Sequence, residues 1–383
     1  MDGDYGPQRG LTGYTGDHMA RISTFDDWID LFREWRDDIG LDPKLVEHYT
    51  FEAKYEDLET NEIEFGDMKG KDKYERVLQM PDQRMRDGLM NMIVYQGDTE
   101  FGSVEQQRRL VNTAPSDRDL DSLLRVMCEE MRHGYQMCHL LIQNFGSSGK
   151  VEAVKLLERR AFEQNRLLGS FNEIVDNWLD FYVYTEFIDR DGKFQLKMLS
   201  RSAFAPLARS MGPMLKEEAY HLGTGHTGLK RILKAGKIPV PLIQKYINKW
   251  VPTAFDLFGT DHSSSAEWAY VWGIKGRYDE GENQNPADRE NLNEYARELY
   301  VQEINTLFDQ LNRLIPDDQP KLTLPSTKYN RSIGTYARQP YDIHGNKVDA
   351  DKWGDYYKNS IPSDADVKAI DDICEEPGWI VLK

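Results

Sequence analysis

Cys128-Glu129-Glu130-Met131-Arg132-His133 decides how the rest of this chain reads, because Lys216-Glu217-Glu218-Ala219-Tyr220-His221 repeats its Glu-x-x-His. On a helix, side chains three residues apart share a face with Cβ atoms roughly 5–6 Å apart, so one carboxylate and one imidazole can reach a single ion. In a Glu-rich chain one such match is expected by chance. Two are harder to dismiss, and each interrupts an apolar helical stripe, where an unpaired charge would be costly to bury.

The first motif belongs to a helix after Pro115 that Ser116 can cap, with Leu120, Leu123, Leu124, Met127, Met131, Met137, Leu141 and Phe145 on its inner face. Glu130 and Gly134 lie on that face and His133 at its edge, which makes Glu130 and His133 the pair. Glu129 is off the face, as a solvated carboxylate or one that supports the ligands, and His139 reads as a structural histidine. The second motif sits on a helix from about Phe204 to Lys234, where Glu218 and His221 interrupt Leu207, Met211, Met214, Leu222, Leu229 and Ile232. His226 also reads as structural.

Each motif follows a helix with one inward carboxylate. From Asp82 to about Asn112, Met85, Leu89, Met92, Ile93, Gln96, Glu100, Val104 and Gln107 share a face that is polar at its centre. Taken alone, Glu100 could be a salt-bridged side chain in a solvated groove. The flanking Gly97 and Gly102 cost helix stability, for which a metal at that level would give a reason. From Asn172, Trp178, Tyr182, Thr185 and Asp189 align on one face, and Asp189 closes the helix before Arg190-Asp191-Gly192. Taken alone, Asp189 could be an ordinary ion pair with Arg190.

Together the six residues show regular intervals. Glu100 precedes Glu130 by 30 residues and Asp189 precedes Glu218 by 29, so each half is a helix pair donating one carboxylate and then a Glu-x-x-His. That is the pattern of an all-α, ferritin-like four-helix bundle with a two-metal carboxylate site. Glu100, Glu130, His133, Asp189, Glu218 and His221 are its expected ligands. Four carboxylates offset much of the charge on two ions, and two imidazoles favour iron, with manganese second. The expected organisation is an N-terminal helix and wrapping loops over 1–81, the dimetal helical domain over 82–315, and an irregular extension over 316–383 packed on the body.

Among 383 residues, 65 acidic against 48 basic side chains give a net charge of −17, which argues against a general nucleic-acid binder. Three cysteines at unpaired spacings suggest neither a disulfide framework nor a thiolate metal site, and point to a reducing compartment. Residues Met1 to His18 are polar without an apolar signal core, and no run approaches the roughly 18 apolar residues of a membrane span. A cytoplasmic protein with no membrane partner is expected.

Elsewhere, Thr24 can cap a helix carrying Trp28, Leu31, Phe32 and Trp35, and Leu41 to Met80 reads as loops. Val151 to Leu168 reads as a charged helix whose Glu158-Arg159-Arg160 and Arg166 form a solvated face or meet phosphates. Lys230, Arg231, Lys234 and Lys237 complement a helix C-terminus and are a second candidate for phosphate. The Ser-rich turn Gly259 to Ser265, with His262, has no defensible triad. Pro286 suits the first turn of a last long helix with Leu292, Tyr295, Leu299, Leu307, Leu311 and Leu314 on its stripe.

The chain resembles the family of diiron epoxidases that act on benzoyl-CoA and phenylacetyl-CoA. The resemblance is carried by Gln96-Gly97-Asp98-Thr99-Glu100, Ser103-Val104-Glu105-Gln106-Gln107-Arg108, Thr113-Ala114-Pro115-Ser116, Glu129-Glu130 with Arg132-His133, and Asp189 to Leu196. It continues through Pro206-Leu207-Ala208-Arg209, Glu217-Glu218-Ala219, Leu242 to Tyr246 and Lys275-Gly276-Arg277, covering roughly Met80 to Ala337. It implies a monooxygenase whose reduced diiron centre uses O2 to place one oxygen atom across the 2,3 bond of the benzoyl ring of benzoyl-CoA. The other atom leaves as water, and Glu100, Glu130 and Glu218 are the carboxylates nearest the chemistry. Electrons are expected from a separate NADPH-dependent reductase carrying FAD and an iron–sulfur cluster; a homodimer is compatible with this reading. Asp189 is preferred to Asp191 and Glu186 as a ligand. Gln96, one turn before Glu100, is a candidate for the substrate pocket or for support of Glu100. The alternatives are the same chemistry on another aryl- or alicyclic-CoA thioester, and a ferroxidase or iron-handling protein.

Overall fold

The computed structural model describes residues 22–261, 263–280 and 292–382, and among these the regular elements are helices. Helix α1 (Phe25–Asp38) starts where Thr24 and Asp27 form a capping box, and buries Trp28, Phe32 and Trp35. A loop segment with short 3-10 turns follows, as the glycines at 66 and 70 predict. Helix α2 (Gln83–Gln107) is capped by Asp82 and tightens into a 3-10 turn over Arg108–Asn112. Helix α3 (Asp117–Asn144) starts at Ser116, whose side chain accepts from the backbone of Asp119.

Helix α4 (Gly146–Glu158) is shorter than the expected charged helix, and 159–177 is irregular with two 3-10 turns. Helix α5 (Trp178–Leu199) is capped by Asn177. It does not end at Asp189: the helix carries on through Gly192, because Asp189, Asp191 and Phe194 are buried and packing outweighs the glycine's weak propensity. Helix α6 (Ala205–Ala235) ends at Gly236 with φ +64°. Helices α7 (Val240–Leu257), α8 (Ser264–Val271) and α9 (Leu292–Asn312) follow. The C-terminal extension contains α10 (Ala350–Ser360) and α11 (Asp364–Cys374), the latter opened by a Ser363–Asp366 capping box. The expected start at Pro286, the residue His262 and the stretch before His18 lie outside the described residues.

The bundle is two antiparallel pairs, α2 on α3 and α5 on α6, joined face to face through α3 and α6. Helices α4 and α7 cover α3 and α5, and α1 lies on α4. The α5–α6 contact is intimate. A Cβ at Gly225 would meet the backbone nitrogen of Glu186 at 2.5 Å, so glycine lets the two backbones touch. Packing also accounts for the glycines around Glu100: a Cβ at Gly97 would lie 3.0 Å from Leu156, and one at Gly102 2.8 Å from Phe171. Close helix approach therefore accounts for both glycines.

The arginines expected on a solvated face are part of the interior. Arg166 lies 2.7 Å from Glu105 and 3.2 Å from Asp98, all three buried, while Arg159 reaches the same Asp98. Arg231 is likewise committed, to Asp119 at 2.6 Å. Neither is free for phosphate. No described helix is long and apolar enough to cross a membrane.

Candidate metal centre

Helix periodicity brings five of the six candidate ligands into two overlapping groups, while Asp189 lines a cavity beside them, outside both groups. Glu100 comes from α2, Glu130 and His133 from α3, Asp189 from α5, and Glu218 and His221 from α6; all six are buried. Two groups form with ligand atoms mutually within 4.8 Å: Glu100, Glu130 and His133, and Glu130, Glu218 and His221. Glu130 is common to both, the position a bridging carboxylate needs. Glu218 also faces both sides, with its oxygens 3.6 Å from His133 Nδ1 and 3.5 Å from His221 Nδ1. The imidazole centroids are 6.0 Å apart.

Both imidazoles present Nδ1 inward and spend Nε2 on an outer carboxylate. His133 Nε2 lies 2.9 Å from Glu217, and His221 Nε2 3.1 Å from Glu129. The first Glu of each motif therefore holds the histidine of the other motif. Glu217 is itself gripped by the Arg132 guanidinium and Glu129 by Arg125. Such partners fix tautomer and ring direction and raise ligand basicity.

The donor set fits a pair of cations. His133 Nδ1, His221 Nδ1, Asp189 Oδ2 and Glu218 Oε2 are all buried without a hydrogen-bond partner, although buried polar atoms are normally satisfied. Four buried carboxylates also crowd one another. Burial, then Glu100, Glu218 and Asp189, push Glu130 well above the usual carboxylate range. Burial and Glu218 do the same to Asp189. Burial opposes the charge on His221, yet Glu218 and Glu129 hold its pKa well above normal. Two cations would relieve this crowding directly.

A cavity of about 720 Å³ opens onto the centre, with Glu100, Glu130, Asp189 and Glu218 in its wall. Leu168, Phe171 and Ile188 contribute apolar wall, Leu199 does so farther along α5, and Arg84 and Trp268 line it too. Gln96 also lines it and donates to Glu100 Oε1 at 2.5 Å.

Comparison with known proteins places this architecture. Residues 69–323 match the family described as phenylacetic acid catabolic protein. The chain belongs to that family. Among characterised phenylacetic acid catabolic proteins and their relatives, it is 36% identical over 372 aligned residues to benzoyl-CoA oxygenase component B of Aromatoleum evansii, covering 83% of this chain and 78% of the relative. It is 24% identical over 198 aligned residues to one of the subunits of 1,2-phenylacetyl-CoA epoxidase from Escherichia coli (strain K12), covering 51% of this chain and 62% of the relative.

Several site residues carry different partners from those expected. Arg190 pairs with Glu186 and Glu303, leaving the oxygen Oδ2 of Asp189 without one. Glu186 accepts from Arg190 and faces His226 at 3.0 Å, and His139 faces the Tyr55 hydroxyl at 2.8 Å, so both histidines have structural partners. Glu129 is not a free surface carboxylate. Sequence reasoning missed Glu217, although it occupies the same place in its motif as Glu129 and was findable from that repeat. It also missed Tyr184, whose hydroxyl is buried beside the cavity without a hydrogen-bond partner. Tyr184 lies off the Trp178, Tyr182, Thr185 and Asp189 stripe and gave no separate signal.

Proposed function

We propose that this chain is the oxygenase component of an aryl-CoA monooxygenase, with benzoyl-CoA as substrate and the 2,3-epoxide as product. The observation that carries the reading is the pair of overlapping ligand groups opening onto one organic-sized cavity. Glu100, Glu130, His133, Asp189, Glu218 and His221 would hold two iron ions, for which carboxylate and imidazole donors are suited. When bound, the diiron pair supplies reductive activation of O2, one atom going to the ring and the other to water.

The chain's own residues do the rest. Glu130 belongs to both ligand groups and Glu218 faces both imidazoles, so they would share charge between two bound ions. Glu217 and Glu129 keep both Nδ1 atoms free for ligation by accepting the Nε2 protons. Gln96 restrains Glu100 where the cavity meets the centre. Leu168, Phe171 and Ile188 keep water from an oxidising site and leave an apolar berth for an aromatic ring. The electrons come from a separate reductase with NADPH, FAD and an iron–sulfur cluster; the multicomponent naming of the relative supports this. An iron-handling role is the weaker reading because it gives no use for the cavity.

The deciding experiment is anaerobic loading with Fe(II), addition of a reduced mediator and benzoyl-CoA, then admission of isotopically heavy O2 and mass spectrometry of the CoA products. One incorporated heavy oxygen is expected. Iron oxidation with benzoyl-CoA untouched would overturn benzoyl-CoA as substrate, and a panel of aryl- and alicyclic-CoA thioesters would then separate another substrate from iron handling.

A further inference from the structure

Away from the ligands, the cavity wall contains a lysine that the chemistry above does not use. Lys275 lies in the turn after α8, and its backbone is tied down on both sides. Its own N–H donates to Ala269, and the next residue, Gly276, donates to Met198 on α5. Its Nζ donates to Gln195 Oε1 at 2.8 Å and to Asn293 Oδ1 at 3.1 Å.

Both amides are held with oxygen towards the lysine. Gln195 spends its NH2 on Asp191 at 3.0 Å, and Asn293 directs its NH2 to the Thr260 carbonyl. The Asn293 backbone is fixed in turn by Asp261 at 2.6 Å. An ammonium has three N–H donors. Two are spent on these amides, and no carboxylate lies within ion-pair distance among the described residues. Lys275, Gln195, Asn293, Asp191 and Gly192 all line the cavity.

The spacing from the centre is set by α5. Asp189, Gly192 and Gln195 recur every three residues and all face the cavity. With a rise of 1.5 Å per residue, Gln195 lies roughly 9 Å along the axis from Asp189. Gly192 between them carries no side chain, and a Cβ there would approach Glu218 to 4.0 Å. The row is thus a ligand, a bare floor, and an amide holding a cation. An aromatic acyl group laid over that floor brings its ring towards the carboxylates and its carbonyl towards the lysine.

We propose that Lys275 is the residue that receives the thioester carbonyl oxygen of the acyl-CoA, setting how far the ring enters and which bond faces the metal centre. This rests on the aryl-CoA reading above. A desolvated lysine without a carboxylate partner costs stability, and burial pushes its pKa down to about 8; such groups concentrate at working sites. The remaining donor is preorganised, so binding the carbonyl requires little rearrangement.

The test compares two ligands that differ at the carbonyl: benzoyl-CoA, and S-benzyl-CoA, in which the carbonyl is a methylene. Affinities are measured anaerobically by calorimetry on the iron-loaded wild type and on Lys275→Met, with melting curves to confirm folding. A hydrogen bond from a charged donor predicts a wild-type preference for benzoyl-CoA of about 10-fold or more. Lys275→Met should bind both ligands within about 2-fold of one another while keeping the wild-type affinity for S-benzyl-CoA. Lys275→Gln keeps a neutral donor and should fall between, and it carries the test if the Met variant does not fold.

An undiminished preference for benzoyl-CoA in both variants, or an equal loss for both ligands, would overturn the proposal and leave the aryl-CoA reading standing. Wild type that binds neither ligand would overturn both.

Discussion

His133 on α3 places Nε2 2.9 Å from the carboxylate of Glu217 on α6, and His221 on α6 places Nε2 3.1 Å from Glu129 on α3. The two Glu-Glu-x-x-His motifs are therefore interlocked: each supplies the support for the other's imidazole.

Replacing either outer glutamate by glutamine should leave the fold intact and weaken iron binding by about 10- to 100-fold, the usual cost of losing a partner behind a ligating histidine. Competition with a chelator measures it. Unchanged affinity in both Glu129→Gln and Glu217→Gln would mean that the contacts do not orient the ligands.

Removing shared and unshared ligands should differ in stoichiometry. Glu130 belongs to both groups and His133 to one. Glu130→Ala is expected to lose nearly all bound iron, whereas His133→Ala should retain about one ion per chain at moderate iron concentrations. Equal retention by the two variants would argue against a bridging Glu130.

Arg166→Met should be among the most destabilising single changes outside the centre, at about 3–5 kcal/mol, because it leaves Glu105 buried without its cation and Asp98 with only the longer contact to Arg159. Denaturant unfolding measures this. A loss below about 1 kcal/mol would imply that water reaches the two carboxylates.

Lys275 gives stability a pH dependence of known sign. Burial lowers its pKa to about 8 in the folded protein, against roughly 10.4 in the unfolded chain. Between those values the unfolded state binds more protons, so wild-type stability should rise with pH across that window, by up to about 3 kcal/mol. Below the folded value both states are charged and the penalty is fully present. Lys275→Met should lack the rise; parallel unfolding curves for the two proteins across the window would rule it out.

The bundle could be read in the sequence because its evidence is local. Helical stripes interrupted at three-residue spacing, twice, at matched distances from another inward carboxylate, require only the period of an α-helix. The interval points to Asp189, which lines the cavity even though α5 runs past it, because the face it occupies does not depend on where the helix stops. What could not be read depends on tertiary pairing. Arg166 looks like surface charge until Asp98 and Glu105 arrive from α2. Glu217 looks redundant beside Glu218 until His133 arrives from α3. In the C-terminal extension, α10 and α11 lie among Asp and Tyr residues of weak helix propensity; α11 has its capping box as a local signal, whereas α10 has no side-chain cap.

The contact at Gly225 has a mechanical consequence. With the α6 backbone seated against that of α5, the two helices carrying Asp189, Glu218 and His221 cannot slide or part without first breaking that contact. Adjustment of the centre to a change of charge must then be made by torsions of the carboxylate side chains and not by collective displacement of these two helices. The scaffold behaves as a fixed frame, and the compliance of the site resides in its glutamates.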